Sequence, residues 1–313
     1  MAENILVTGG AGFIGSHVVG KLIEEKKIPI VVDNLSTGTI ENLDPRALFY
    51  QQDITDNEMM EKVFSLHKPR FVYHLAAQIS VSQSVKTPLE DAGINIMGSL
   101  NILNLCVKYG VEKLVFSSTG GAIYGDDVNE VPTSEDEQPH PFSPYGIAKF
   151  SIENYLDFYF KQHELKYVAL RYANVFGPRQ DPYGEAGVVA IFTNRMLKNE
   201  ETIIYGDGEN VRDYIYVSDV ARANYLAMEK WENEVVNIGT GQGTTVNELF
   251  DKLKKITGYK KNATYSDPRP GDLRRSILKC DKAHNLGWKY EVKIDDGLVK
   301  TVEYFRNKLE ATE

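Results

Sequence analysis

Short apolar runs alternate with stretches of helical periodicity along the first 172 residues. A run at 5–7 leads through a glycine-rich turn into a helical pattern that extends to Lys27, and a second run follows at 28–33. Later runs are bounded by small or polar residues, as is typical of buried parallel strands. These runs lie at 47–53, 71–77, 113–119 and 167–172. The alternation predicts an α/β fold with a doubly wound parallel sheet that the last of these runs closes.

The rest of the chain indicates a second, smaller α/β lobe. With 313 residues and 42% hydrophobic content, the chain lies between one large domain and two ordinary ones. We assign 1–175 to a first lobe and 176–313 to a second lobe that binds the substrate. The strand and helix pattern at 213–230 is expected to return to the first lobe.

The helix predicted over 92–109 is apolar on all sides, so it should be covered on two sides. A later helix is rich in aromatic residues and carries Phe150, Tyr155, Phe158 and Tyr159. Together they predict a contact between two copies of the chain in a homodimer. Packing between the two lobes is the alternative explanation.

The turn after the first strand has the glycine spacing of a dinucleotide-binding loop. Gly9, Gly10, Gly12 and Gly15 fit both Gly-x-Gly-x-x-Gly and Gly-x-x-Gly-x-x-Gly. Such glycines let the backbone approach a pyrophosphate, and the following helix presents unpaired N–H groups to the anion. At the end of the second strand, Asp33 can bond ribose hydroxyls and repel a 2′-phosphate. These features predict a Rossmann-type domain that binds NAD rather than NADP.

Two further polar residues lie at predicted strand ends or within strands. Asp53, followed by Ile54, ends the third strand and is a candidate adenine contact. Capping of the helix that begins near Asn57 is an equally good explanation of Asp53. His74 lies inside the fourth strand, where a core histidine with satisfied hydrogen bonds is expected rather than a catalyst.

Tyr145 and Lys149 lie four residues apart at a predicted helix start marked by Pro144. Residues with this spacing share one helix face. An ammonium roughly 4 Å from a phenol contributes about 4 kcal/mol at an effective dielectric of ~20, which lowers the phenol pKa by roughly three units. We therefore expect Tyr145 to act as a base. The same spacing recurs at Tyr109 and Lys113, so the helix start and the upstream glycine loop distinguish the first pair.

Three hydroxyl residues, Ser117, Ser118 and Thr119, end the strand predicted at 113–119. Ligands of open parallel sheets bind beyond the carboxyl ends of the strands. Thr119 is therefore expected to bond a substrate hydroxyl or to relay its proton. Ordinary turn chemistry of Ser and Thr accounts for at least one of the three.

Charge and cysteine content narrow the function further. The formal charge is −9, with Lys+Arg 35 against Asp+Glu 44 and no long basic run, so nucleic acid is not an expected partner. The absence of a basic leader and of a long apolar window predicts a cytoplasmic protein without membrane contact. Cys106 and Cys280 are expected to be reduced thiols, and no Cys or His spacing indicates a metal site.

Taken in order, these motifs resemble those of the extended short-chain dehydrogenase/reductases. Within that family the chain is most similar to the UDP-glucose 4-epimerases, and the similarity extends over nearly its whole length. The motifs that carry the resemblance lie at 8–15, 33–35, 75–77, 117–119, 145–149, 171–178, 205–208, 211–214, 237–239 and 268–272.

The resemblance implies the reaction and three catalytic roles. Tyr145 as a phenolate takes the proton of the C4 hydroxyl of a UDP-hexose while NAD accepts the C4 hydride, which then returns to the other face of the sugar. Lys149 holds the nicotinamide ribose and keeps Tyr145 ionised. Thr119 steadies the O4 proton, and no metal is required.

The resemblance also implies the residues that contact each ligand. For NAD these are Gly9, Gly12, Phe13, Ile14, Gly15, Asp33, Asn34, Ser36, Thr37, Gly38, Asp53, Ile54, Leu75, Ala76, Ala77, Gln78, Asn95, Ser117, Tyr145, Lys149 and Tyr172. For the nucleotide sugar they are Ser118, Thr119, Tyr145, Asn174, Val188, Val189, Ile203, Tyr205, Arg212, Arg269, Asp272 and Ser276.

In this interpretation Arg212 and Arg269 clamp the diphosphate through charge-assisted bonds, and Asp272 orients Arg269. A surface salt bridge is the alternative for either arginine. The loop at 184–187 precedes the segment that lines the uracil and its ribose.

Few residues distinguish the UDP-glucose 4-epimerases from related enzymes with other activities. A 4,6-dehydratase carries an acidic pair directly after the threonine and a decarboxylase carries a glutamate there, whereas this chain has Gly120 and Gly121. A 4-epimerase of UDP-glucuronate or of N-acetylhexosamine nucleotides stays open. Ser276 is small where narrow-specificity epimerases have a tyrosine, so we expect UDP-N-acetylglucosamine to be accepted as well. A non-catalytic NAD(H) sensor typically lacks the tyrosine or the lysine, and both Tyr145 and Lys149 are present.

Overall fold

The computed structural model describes residues 4–183, 187–269 and 272–311. Its strands, in chain order, are β1 Asn4–Thr8, β2 Ile28–Asp33, β3 Leu48–Gln51, β4 Phe71–His74, β5 Lys113–Thr119, β6 Lys166–Tyr172, β7 Asn174–Phe176, β8 Ile203–Tyr205, β9 Val211–Tyr216, β10 Glu234–Ile238, β11 Gly243–Thr245, β12 Thr264–Ser266 and β13 Arg275–Ser276.

The α-helices, in chain order, are α1 Phe13–Glu24, α2 Asn57–His67, α3 Val81–Lys86, α4 Pro88–Ala92, α5 Ser99–Tyr109, α6 Gly120–Ile123, α7 Pro144–His163, α8 Val188–Leu197, α9 Val217–Lys230, α10 Val246–Thr257, α11 Asp281–Asn285 and α12 Ile294–Glu310. A 3-10 turn spans Ile40–Asn42, and a π-helix spans Gly93–Gly98 directly before α5. Among the helices built from the described residues, none combines the length and the apolar character that a bilayer-spanning segment requires.

The first lobe is a parallel sheet of seven strands in the order β10-β6-β5-β4-β1-β2-β3. The order reverses between β1 and β4, which is the point where open α/β sheets bind their ligands. Alternate residues of each strand face opposite helix layers. In β1, Ile5 and Val7 pack towards α1 and α9, whereas Leu6 packs towards α2, α5 and α7. The fold class predicted from the apolar runs is confirmed.

The second lobe has a separate core beneath two small sheets. Strand β9 pairs with β7 and β13 in parallel and with β11 in antiparallel orientation, and β8 pairs with β12. Helices α8, α10 and α12 pack together around this core, which includes Phe192, Leu249 and Val302. The lobe therefore has its own apolar interior, and its strands β7 and β9 contact α9 of the first lobe.

The chain returns to the first lobe in a way that the sequence pattern did not fully predict. Helix α9 packs against α1, as expected for 217–230, but β9 belongs to the second lobe's sheet. The returning segment also continues beyond 230, because β10 adds a seventh strand beside β6. The division of the chain at residue 175 stays a prediction.

Candidate functional site

The turn between β1 and α1 is built for close backbone packing. Gly9 has a φ of +71°, and a Cβ added there would lie 2.6 Å from the backbone nitrogen of Ala76. A Cβ added at Gly15 would overlap the carbonyl oxygen of Gly9. Helix α1 begins after Gly12 with no side-chain cap and no acidic residue in its first turn. The open N-terminus of α1 is suited to an anion that lies against the bare glycine backbone.

Asp33 ends β2 as a buried carboxylate. Its Oδ2 accepts the N–H of Ala11 at 2.9 Å, and its Oδ1 accepts the N–H of Leu35 at 2.9 Å. Each oxygen of a carboxylate has a second acceptor position. Asp33 is therefore fixed beside the glycine turn while it can still accept hydrogen bonds from a diol.

The loop after β2 lies against the same turn. A Cβ added at Gly38 would lie 2.8 Å from the carbonyl carbon of Ala11, whose oxygen accepts the N–H of Thr39 at 3.2 Å. The side chain of Asn34 holds the start of the loop, because its Oδ1 accepts the N–H of Ser36 at 2.9 Å. The structure thus brings 34–38 next to the glycines, as the predicted cofactor contacts require.

Asp53 lies in a turn rather than at a helix start. Its Oδ1 accepts the N–H and the hydroxyl of Thr55, and its Oδ2 accepts Nδ2 of Asn34 at 2.7 Å. The cap of α2 is Asp56, whose side chain accepts the N–H of Met59. The explanation of Asp53 as a helix cap is therefore wrong, and its contact with adenine stays a prediction.

The loop that follows β4 is clamped to the π-helix by side-chain amides. The N–H of Gln78 donates to Oδ1 of Asn95 at 2.9 Å, and Nδ2 of Asn95 donates to the carbonyl of Gln78 at 2.9 Å. Asp91 joins the same cluster, because its Oδ1 accepts Nε2 of Gln78 and Nδ2 of Asn95 at 2.8 and 2.9 Å. These bonds fix 75–78, the loop whose backbone touches Gly9.

Tyr145 and Lys149 lie on the first two turns of α7, which Ser143 caps through its side chain. Lys149 is buried, and its Nζ donates to the carbonyl of Ser117 at 2.9 Å. The same nitrogen lies 5.8 Å from the centre of the half-buried Tyr145 ring. The pair is therefore brought to the carboxyl end of β5, beside the loops that the glycine turn contacts.

The protonation of this pair in the protein alone differs from the expectation drawn from spacing. Burial lowers the pKa of Lys149 to about 8, and the charges of Asp91 and Glu153 oppose that change. Burial raises the pKa of Tyr145, and the charge of Asp91 adds to the rise. The expected fall of roughly three units is absent, because loss of hydration disfavours both charged forms.

A buried ion pair joins α7 to β6. Glu153 accepts Nη2 of Arg171 at 2.6 Å and Nε of Arg171 at 3.0 Å, and both side chains are almost fully buried. Ser118 donates its hydroxyl to the same carboxylate at 2.5 Å. Because side chains alternate along a strand, Ser118 points away from its neighbours Ser117 and Thr119. The structure does not bring Ser118 to the other predicted substrate contacts.

The side-chain oxygens of Thr119 and Ser276 both lie near Gly121. A Cβ added at Gly121 would lie 4.0 Å from Oγ1 of Thr119 and 3.9 Å from Oγ of Ser276. Oγ1 of Thr119 accepts the N–H of Ala122 at 3.2 Å, which leaves its hydrogen for another acceptor. Ser276 lies beside Arg212 in the β13–β9 register. The second lobe thus places a hydroxyl and a guanidinium opposite the end of β5.

The two arginines predicted to bind the diphosphate have different partners. Nη2 of Arg212 donates to Oδ1 of Asp272 at 2.5 Å, and Asp272 also accepts Nδ2 of Asn210 at 2.8 Å. The guanidinium of Arg269 lies over the ring of Tyr205, 4.0 Å from its centre. The expectation that Asp272 orients Arg269 is corrected, because its carboxylate is engaged by Arg212 and Asn210.

Other predicted residues are distributed over both lobes. In the second lobe, Asn174 begins β7, Val188 and the buried Val189 begin α8, and Ile203 begins β8. In the first lobe, the hydroxyl of Tyr172 bonds the side chain of Asn224 in the interior. The buried side chain of Ile54 packs near Gly98. Residues 184–186 of the predicted loop, and 270–271 of the motif at 268–272, lie outside the described residues.

The sequence did not point to two carboxylates that interact with Tyr145 or Lys149. Asp91 lies four residues before Asn95, and Glu153 lies four residues after Lys149. The helical spacing was the available signal, because residues four apart lie on one face. The two groups were overlooked because a carboxylate on a helix is usually solvated.

Comparison with known proteins agrees with this arrangement. Residues 5–239 match the model of the NAD dependent epimerase/dehydratase family. The UDP-glucose 4-epimerase of Mycolicibacterium smegmatis is 41% identical over 310 residues, which cover 97% of this chain and 98% of that protein.

Two solved structures share the whole architecture. The UDP-glucose 4-epimerase of Thermotoga maritima with UDP-glucose has a TM-score of 0.97 and 65% identity, with 98% of this chain and 99% of that chain covered. The Thermus thermophilus UDP-glucose 4-epimerase in complex with NAD has a TM-score of 0.94 and 46% identity, with 97% and 99% covered. The chain described here belongs to the NAD dependent epimerase/dehydratase family.

Proposed function

We propose that the protein interconverts UDP-glucose and UDP-galactose at C4 with a tightly bound NAD. The observation that carries the proposal is the position of Tyr145 and Lys149 at the carboxyl end of β5, where Lys149 bonds the carbonyl of Ser117. Ser276 of the second lobe lies near the same strand end, close to Gly121 and Thr119. The 65% identity to a UDP-glucose 4-epimerase over 98% of the chain supports the same reaction.

The residues of the first lobe fit NAD. Gly9 and Gly15 leave no room for a Cβ, and the first turn of α1 carries no capping side chain, as binding of a pyrophosphate by backbone N–H groups requires. Asp33 lies beside this turn and would repel a 2′-phosphate. When bound, NAD supplies the hydride acceptor and donor at C4 and, in its oxidised form, a positive charge in the site.

The chain's own residues move the proton of the sugar O4. Tyr145 accepts that proton at its phenolic oxygen and later returns it. Because burial raises the pKa of Tyr145 in the protein alone, the phenol needs added positive charge before it ionises. Lys149, whose ammonium bonds the carbonyl of Ser117, supplies part of that charge. Thr119 donates its hydroxyl hydrogen to O4.

The second lobe binds the nucleotide through charge and stacking. Arg212 and Arg269 bind the diphosphate, and Asn174 adds an amide donor. Asp272 holds Arg212 in place through a 2.5 Å contact. Tyr205, on which Arg269 stacks, together with Ile203, Val188 and Val189, forms the side that receives the uracil and its ribose.

Two small residues lie at the sugar side of the second lobe. Ser276 and Gly121 both lie close to Thr119. Because neither carries a bulky side chain, we expect room for a 2-acetamido group and UDP-N-acetylglucosamine as a further substrate. A UDP-glucuronate 4-epimerase is the second candidate function, because no described contact at this site excludes a C6 carboxylate.

We also infer that the protein is a homodimer of the cytoplasm. Leu89 on α4 is 89% exposed, Met97 of the π-helix is 63% exposed and Phe158 on α7 is 49% exposed. These three elements pack against one another and each exposes a large apolar side chain, which favours a protein contact. Both cysteines are buried and unbonded, as suits a reducing compartment.

A coupled assay tests the proposed function. Purified protein is assayed with UDP-galactose, UDP-N-acetylgalactosamine and UDP-glucuronate, and Tyr145→Phe is the control. Turnover of UDP-galactose by the wild type and a loss of at least roughly a hundredfold in the variant are expected. Turnover of UDP-glucuronate alone would select the second candidate. An inert wild type that still binds NAD would indicate a sensor.

A further inference from the structure

The side chain of Asp91 is a buried carboxylate with one unused oxygen. Its exposed fraction is 1%. Oδ1 accepts two hydrogen bonds, from Gln78 and Asn95, whereas Oδ2 is buried without a hydrogen-bond partner. Such an oxygen is costly to bury, so its presence calls for a compensating charge or a function.

The surroundings of Asp91 supply that charge. Helix α4, which carries Asp91, packs against α7, which carries Tyr145 and Lys149. The carboxylate interacts electrostatically with both, since its charge raises the pKa of each. Within the described part of the chain, Asp91 forms no salt bridge that would neutralise it otherwise.

The other charged and titratable groups around Lys149 do not replace Asp91. Glu153, on the same helix, is neutralised by Arg171 through a buried two-point contact. His74, on β4, is held neutral, because burial lowers its pKa to about 3. Tyr145 is neutral until it acts as a base. Burial raises the pKa of Asp91, whereas its bonds to Gln78 and Asn95 and the charge of Lys149 lower it. Among the residues described, Asp91 is therefore the carboxylate that interacts with Lys149 and has no salt-bridge partner of its own.

We propose that the carboxylate of Asp91 is the buried counter-charge of the Tyr145–Lys149 pair and holds Lys149 as an ammonium during catalysis. Asp91 is then a positioning residue that acts through Lys149 and touches neither substrate nor cofactor. Oxidised NAD, when bound, would add a positive charge to the site, and a nearby anion would offset its repulsion of the ammonium. This inference rests on the proposed function, because it assigns a role within the same site.

The variant Asp91→Asn removes the negative charge and changes little else in the side chain. Asn can accept both existing hydrogen bonds at its Oδ1, so the clamp on Gln78 and Asn95 is kept. Glu90→Gln is the matched control, since Glu90 is the exposed neighbour and the substitution changes net charge equally. Asp91→Ser removes the same charge with a smaller side chain and replaces Asp91→Asn if that variant does not fold.

Two measurements are made on wild type and variants. The first is the pKa of Lys149 by ¹⁵N NMR of labelled lysine side chains, with Lys149→Met to assign the signal. Removal of the anion should lower this pKa by about one unit or more, and Glu90→Gln should leave it unchanged. The second is the pH profile of kcat/KM with UDP-galactose. Both limbs should move to lower pH, because loss of the anion lowers the pKa of Tyr145 as well as that of Lys149.

The outcomes separate this inference from the proposed function. An unchanged Lys149 pKa would overturn the role of Asp91. So would a lower activity in which both limbs of the pH profile stay at their wild-type pH. Failure of both charge-removing variants to fold would also overturn it, because Asp91 would then be structural. A wild type inactive towards UDP-hexoses would refute the proposed function, while the NMR titration would still report on the charge of Asp91.

Discussion

Gly9 offers a quantitative test of the cofactor site, because its backbone has a φ of +71° and its Cα faces the backbone of 75–76. Gly9→Ala places a Cβ 2.6 Å from the nitrogen and 2.8 Å from the Cα of Ala76, neither of which is a movable side-chain end. The left-handed conformation costs roughly 1–3 kcal/mol for a residue other than glycine. Overpacking against backbone adds roughly 1–3 kcal/mol. We expect the free energy of unfolding to fall by about 2–6 kcal/mol and NAD to be lost on purification.

The matched control is Gly20→Ala in the interior of α1. A Cβ at Gly20 meets no atom within 4 Å, so the substitution should stabilise the helix by roughly 0.5–1 kcal/mol. Urea unfolding gives the free energies, and the nucleotide content of the purified proteins gives the bound NAD. A Gly9→Ala protein that unfolds within about 1 kcal/mol of wild type and keeps its NAD would show that the backbone at Gly9 tolerates a Cβ.

Three further substitutions test other parts of the account. Glu153→Gln leaves Arg171 buried without its partner and should destabilise the protein by about 3–5 kcal/mol in urea unfolding, whereas a loss below ~1 kcal/mol would show that the pair is dispensable. Ser276→Tyr should lower kcat/KM for UDP-N-acetylglucosamine at least tenfold, which is roughly 1.4 kcal/mol or more in activation free energy, and leave that for UDP-galactose unchanged. Equal losses for both substrates would argue that residue 276 does not select by size. Leu89→Asp should weaken dimerisation at least roughly tenfold in sedimentation experiments, and an unchanged dimer would move the interface elsewhere.

The sequence was sufficient where a residue's role depends on its chain neighbours. The glycine turn, the carboxylate at the end of β2 and the Tyr145–Lys149 spacing are local patterns, and the structure places them at the carboxyl ends of β1, β2 and β5. Strand β10 was not assigned to the main sheet, because its partner β6 lies more than sixty residues earlier, as its register Glu234↔Val168 shows. Pairing over such distances leaves no periodic signal in the chain.

The pKa of Tyr145 and the ion pairs of the site were predicted less well, because they depend on burial and on three-dimensional neighbours. Spacing alone indicated a lowered Tyr145 pKa, but dehydration and Asp91 raise it. The pairing of Asp272 with Arg212 rather than with Arg269 likewise follows from the placement of β9 beside β13. Asp53 was a plausible cap by position, but the backbone geometry assigns the cap of α2 to Asp56.

The central claim is that hydride leaves C4 and returns to the same carbon without release from the protein. UDP-galactose with deuterium at C4 tests it, with the product analysed by mass spectrometry and proton NMR in ordinary water. The account predicts UDP-glucose that retains the deuterium at C4. Loss of the label to solvent would contradict it, because the C4 hydrogen would then have left as a proton.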